Sequence, residues 1–66
     1  MTIKELMYAQ INMDEVGTVI VVKDGQFVRV GSPLGAIDKM GGEQVKDYTV
    51  EYDADFGEIY LEIEVE

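Results

Sequence analysis

From Glu58 to Glu66 the chain alternates strictly between Ile59, Leu61, Ile63 and Val65 on one parity and Glu58, Tyr60, Glu62, Glu64 and Glu66 on the other. A period of two puts successive side chains on opposite faces of an extended strand, whereas a helix would scatter the same residues around its axis. The run therefore specifies a strand with one aliphatic and one acidic face. Upstream, Tyr48, Val50 and Tyr52 alternate with Asp47, Thr49, Glu51 and Asp53, and Ala54-Asp55-Phe56-Gly57 separates the two runs. A short loop ending in Gly, which tolerates positive φ, closes a hairpin there. Pairing Asp53 with Glu58 sets Tyr52 near Ile59, Val50 opposite Leu61 and Tyr48 opposite Ile63, so the apolar sets coincide as register requires.

The same register opposes Asp53 to Glu58 and Asp47 to Glu64, and directly opposed like charges weaken a sheet. Neighbouring Glu residues on the last strand lie about 6.7 Å apart, so each exposed pair costs about 0.6 kcal/mol in water before salt screening. Residues 47–66 hold eight carboxylates and no Lys or Arg, which accounts for all but one unit of the net charge of −9. A chain selected only for stability would intersperse Lys. Two readings follow: the acids keep a strand edge from pairing with other chains, or they form a recognition surface.

The chain has 66 residues, with no Cys and no His. We expect one domain over residues 1–66, with a core near the lower limit of sufficiency and neither a disulfide nor a Cys/His zinc site to supplement it. Oligomerisation, most simply a homodimer, is the expected supplement. An apolar content of 47% with a single Pro argues against disorder. No run approaches a membrane span, and the first residues lack the basic and apolar regions of a signal peptide, so a cytoplasmic protein is expected. The acidic balance repels phosphate backbones and anionic lipid, which argues against direct nucleic-acid or membrane binding and makes basic protein surfaces the natural partners.

At the N-terminus, Thr2-Ile3-Lys4-Glu5 has the form of a capping box, and Ile3, Leu6, Met7 and Ile11 follow at helical spacing. The spacing predicts a helix ending near residues 9–11, its stripe facing a core, with Tyr8 at the edge of the sheet. The run Thr18-Val-Ile-Val-Val-Lys23 is β-branched, Asp24-Gly25 is a type I′ hairpin signal, and Gln26-Phe-Val-Arg-Val30 returns. This register sets Val22 opposite Phe27 and Ile20 opposite Arg29. Both faces of the hairpin are then apolar: Val19, Val21, Val28 and Val30 on one, Ile20, Val22 and Phe27 on the other. A helix covers the first, and the second is expected to meet another subunit or the second helix. Ser32-Pro33 announces that second helix, Leu34, Ile37 and Met40 give it an apolar edge, Gly35 weakens it, and Gly41-Gly42 stops it.

The residue inventory speaks against catalysis. Nucleophilic chemistry has no Cys or His, Ser32 serves as a helix cap, and paired carboxylates need a pocket with unequal environments that a sheet this small hardly offers. Asp53, Asp55 and Glu64 match positions one, three and twelve of a calcium-binding EF-hand loop. However, Gly57 stands where a ligand is needed and Glu58 where glycine is needed, and Glu64 lies about 23 Å beyond Gly57 on an extended run. Only weak cation binding by Asp53, Asp55 and Glu58 survives this comparison. Gly31-Ser-Pro-Leu-Gly35 lacks the Lys and the strand-to-helix spacing of a phosphate loop. We expect no catalytic residue, no metal and no cofactor.

The order of Thr-Ile-Lys-Glu-Leu helix, Thr18-Val-Ile-Val-Val strand, Asp24-Gly25 turn, short helix and acidic hairpin resembles small acidic phage and prophage accessory proteins. That class includes anti-CRISPR and other host-inhibitory proteins, some of which imitate DNA. The resemblance implies a class of function and carries over no functional residue. The expected architecture is α+β, in the order α-β-β-α-β-β: an N-terminal helix on a four-stranded, mainly antiparallel sheet of two hairpins, with a short helix between them. The expected function is non-enzymatic protein binding, as a phage-encoded inhibitor of a host nucleic-acid-binding protein. Glu51, Asp53, Asp55, Glu58, Glu62 and Glu64 would supply the charge and Tyr60 an anchor against the basic surface. The alternatives are a structural homo-oligomer joined through Ile20, Val22 and Phe27, its acidic face merely solvating, or a weak cation or small-ligand binder.

Overall fold

The computed structural model describes residues 1–66. It contains α1 (Ile3–Ala9), β1 (Val16–Lys23), β2 (Gln26–Gly31), α2 (Pro33–Met40), β3 (Val45–Asp53) and β4 (Glu58–Val65). The strands form one sheet in the order β2-β1-β4-β3. The two hairpins are antiparallel within themselves, and they join side by side through β1 and β4, which run parallel. The sheet is thus mixed, antiparallel at its flanks and parallel at its centre.

Each element has a local cause. Thr2 caps α1 by accepting from Glu5 N–H at 3.2 Å, while the Glu5 carboxylate accepts from Thr2 N–H at 2.9 Å. The other free donors of the first turn reach the α2–β3 loop, Ile3 N–H to Glu43 O and Lys4 N–H to Gly41 O, each at 3.0 Å. Ser32 caps α2 by accepting from Gly35 N–H at 3.1 Å, and Pro33 begins the helix with a φ already suited to it. Asp24 and Gly25 both take positive φ, 53° and 77°, as a type I′ turn demands. Gly57, at φ 64°, closes the second hairpin.

Both helices pack on one face of the sheet. Ile3, Leu6 and Met7 from α1, Pro33 and Ala36 from α2, and Val19, Val21, Val30, Leu61, Ile63 and Val65 from the strands are buried together. In β1 and β4 this is the aliphatic parity, because Val19 pairs with Leu61 and Val21 with Ile63 across the parallel junction. The expected registers of both hairpins are present, including Val22 with Phe27, Ile20 with Arg29, Val50 with Leu61 and Asp53 with Glu58.

Three local expectations require correction. The second helix does not cover Ile20, Val22 and Phe27; it joins the first on the opposite face, since Ala36 is drawn into the same core as Ile3 and Leu6, with Ile37 and Met40 packed against it. Tyr48, Val50 and Tyr52 share the parity of the buried β4 residues but stay largely open, Tyr52 being 66% exposed, because β3 lies beyond the cover of the helices. Tyr8 is 61% exposed and makes no hydrogen bond to the sheet, and it is Tyr48 that donates to Gln10 Oε1 at the end of α1, at 2.8 Å.

Candidate functional site

The face of the sheet opposite the helices has no cover. Register assembles it row by row: Phe27 beside Val22, then Glu64 and Asp47; Arg29 beside Ile20, then Glu62 and Thr49; Thr18 beside Tyr60 and Glu51; and Glu58 beside Asp53. With strands about 4.8 Å apart, Glu62 and Glu64 on β4 each have an apolar neighbour toward β1, Ile20 and Val22, and a polar or acidic one toward β3, Thr49 and Asp47. The face is therefore divided along the parallel junction into an apolar half on β1 and β2 and an acidic half on β4 and β3. Arg29 is the only cation among these rows.

Two shallow depressions of about 260 Å³ each run across this division and share Phe27 and Glu62 on their borders. Phe27 is 72% exposed, whereas Ile20, Val22 and Tyr60 are half-buried between neighbouring strands. Such open hollows suit a flat or convex macromolecular surface better than a small molecule, which needs most of its area enclosed.

The expected site residues divide into several groups. Glu51, Glu62 and Glu64 project from the open face with no hydrogen-bond partner in the protein, and Tyr60 stands among them. Glu58 is half-buried and accepts from the Thr18 hydroxyl at 2.8 Å, which ties the two hairpins together. Asp53 accepts from Asp55 N–H at 3.0 Å and Phe56 N–H at 3.4 Å, holding the β3–β4 turn. Asp55 sits in that turn, exposed and off the rows. Asp53, Asp55 and Glu58 are not gathered into a cluster able to hold a metal ion. Asp47, Thr18, Thr49 and Arg29 complete the face; parity marks each of them, but only the joining of the hairpins shows that they share it.

That joining unites two surfaces expected to be separate. Ile20, Val22 and Phe27 lie on the same face as the carboxylates, and Ile20 and Val22 pair directly with Glu62 and Glu64. The nearest ion pair, Lys23 Nζ to Glu43 Oε1 at 2.8 Å, anchors the end of β1 to the α2–β3 loop outside this face. The hydrogen bond to Glu43 and its charge hold the Lys23 ammonium above its usual range.

No protein-family model, curated protein or solved structure matches the chain. No helix is long and apolar enough to cross a membrane.

Proposed function

We propose that the protein is a non-enzymatic binding module whose open sheet face engages a basic protein surface, as a phage-encoded inhibitor of a host nucleic-acid-binding protein does. The observation that carries this reading is the contiguity of the uncommitted Glu51, Glu62 and Glu64 with the uncovered apolar strip of half-buried Ile20 and Val22 and exposed Phe27. Carboxylates at strand spacing on a rigid sheet offer an ordered array of negative charge to a groove built for phosphates. The apolar strip beside them supplies buried area, which charge alone does not provide. Phe27 and Tyr60 are the side chains suited to act as anchors.

The test is capture from a bacterial lysate at low and moderate salt, comparing the wild type with a variant carrying Glu51→Gln, Glu62→Gln and Glu64→Gln. These positions leave the Thr18 and turn hydrogen bonds intact. Enrichment of one basic nucleic-acid-binding protein by the wild type alone, weakened by salt and by competing nucleic acid, supports the reading. Identical profiles for the two proteins reject it.

A second reading, a homodimer joined through the apolar half, is favoured by the exposure of Phe27 on an uncovered strip. In that arrangement the acidic halves flank the contact and solvate it. Sedimentation across a concentration series tests it: a dimer that dissociates on Val22→Glu supports this reading, and a monomer throughout removes it.

A further inference from the structure

The outer side of β3 has no neighbouring strand, although at nine residues it is the longest strand in the sheet. Its free edge is legible in the hydrogen bonds. Tyr48 N–H points away from β4 and donates to the carboxylate of Asp47 at 2.8 Å, so the alternation of the ladder turns the N–H groups of Val50 and Tyr52 outward as well. No backbone or side-chain acceptor in the protein meets those two groups. Flanking this edge are two unlike borders. Tyr48, Val50 and Tyr52 form an exposed aromatic and aliphatic row on the helix side, and Asp47, Thr49, Glu51 and Asp53 form a polar, mostly acidic row on the open side.

We propose that β3 is a docking edge that receives an extended segment of a partner protein, one whose residues alternate between basic and apolar side chains. Its main chain pairs with the outward groups of β3, and its carbonyl replaces the Asp47 carboxylate at Tyr48 N–H. Its apolar residues then lie against Tyr48, Val50 and Tyr52, while its basic residues lie beside Asp47, Glu51 and Asp53.

Charge selects this occupant over a second copy of the chain. An antiparallel pair of β3 strands centred on Thr49 opposes Asp47 to Glu51, and one centred on Val50 opposes Asp47 to Asp53. Centring on Glu51 opposes that residue to itself. Each of these registers sets carboxylate against carboxylate, and one centred on Tyr48 needs the edge at Gln44 and Val45, which Thr2 and Met1 already occupy, whereas a basic strand turns these contacts favourable. The inference rests on the basic partner proposed above and adds the mode of contact.

The test uses a synthetic peptide of about nine residues alternating lysine with valine, and a second of the same composition with the lysines grouped at one end. Amide hydrogen exchange and residue-resolved NMR titration are followed at low salt. The expected result is preferential binding of the alternating peptide, with Val50 and Tyr52 amides changing from fast to slow exchange. Val50→Lys, at an exposed position, should weaken that binding about fivefold while circular dichroism stays unchanged. Equal binding of the two peptides, or binding that shifts Glu62 and Glu64 but leaves the Val50 and Tyr52 amides fast, overturns edge docking and leaves the acidic-face reading standing. Absence of peptide binding while the lysate partner is still captured does the same; loss of that capture is what removes the acidic-face reading itself.

Discussion

The Thr18 hydroxyl donates to the Glu58 carboxylate at 2.8 Å across the parallel junction between β1 and β4, joining residues forty positions apart. Gly17 sits directly beside this contact: a Cβ there would meet Glu58 Oε2 at 2.7 Å. Gly17→Ala should therefore displace the carboxylate from Thr18, and Thr18→Val should remove the donor. Each is expected to cost about 1 kcal/mol. Because both act through one contact, the double variant should lose less than the sum, which urea denaturation of all four proteins will measure. A fully additive result would separate Gly17 from the hydrogen bond.

Leu61 and Ile63 are fully buried on the central strand β4. Truncating either to Ala should cost about 2–5 kcal/mol, against a total stability of about 3–10 kcal/mol for a domain of this size. Thermal unfolding should show Leu61→Ala and Ile63→Ala melting far below the wild type or already unfolded at room temperature. Near-native melting would mean that the core lies elsewhere.

Glu64 faces Asp47 across the β3–β4 pair. Glu64→Lys turns a repulsive cross-strand pair into an attractive one and should stabilise the fold by about 0.5 kcal/mol at low salt. The gain should shrink toward zero in molar salt, where screening is nearly complete at this separation. Melting temperatures at the two salt concentrations give the answer directly.

The Glu5 carboxyl is held below its ordinary value, first by the backbone N–H of Thr2 and then by the Thr2 hydroxyl. A pKa lowered in the folded state contributes stability above the unfolded value, and that contribution is lost as the pH falls through the folded value. Lys23, raised by Glu43, behaves oppositely: its contribution is present below the unfolded value and is lost as the pH rises through the folded one. The melting-temperature difference between wild type and Glu5→Gln should therefore narrow in acid, and that between wild type and Lys23→Met should narrow in strong base. Differences that stay constant with pH would mean that neither contact is linked to folding.

Much of the fold can be read from the sequence because its signals are local. Period-two alternation yields β4, Asp24-Gly25 yields the first turn, Thr2 with Glu5 and Ser32 with Pro33 yield the helix starts, and matching of apolar parity yields both registers. What escapes is how the hairpins meet. Residues 19 and 21 must find residues 61 and 63, and nothing in either stretch names the other, since aliphatic residues of one parity pack acceptably in more than one order. The sequence therefore presents Ile20, Val22 and Phe27 as a surface apart from Glu62 and Glu64, and it presents Tyr48, Val50 and Tyr52 as covered. Their exposure depends on how far two short helices extend over the sheet. The tasks of Asp53 and Glu58 were hidden for a related reason: a carboxylate in an acidic run looks the same whether it holds a turn, accepts from a threonine or faces solvent.

Of the two central strands of the sheet, β1 is the first that synthesis delivers and β4 the last. A nascent chain that has left the ribosome through β3 possesses both sheet edges and both helices, yet it lacks the piece that Val19, Val21 and Tyr48 are shaped to meet. Until β4 emerges, the first hairpin and the helices can meet one another, but Leu61, Ile63 and Val65 are missing from the core they share. The core is therefore complete only once the last strand has been made, because the two hairpins have no shared sheet without it.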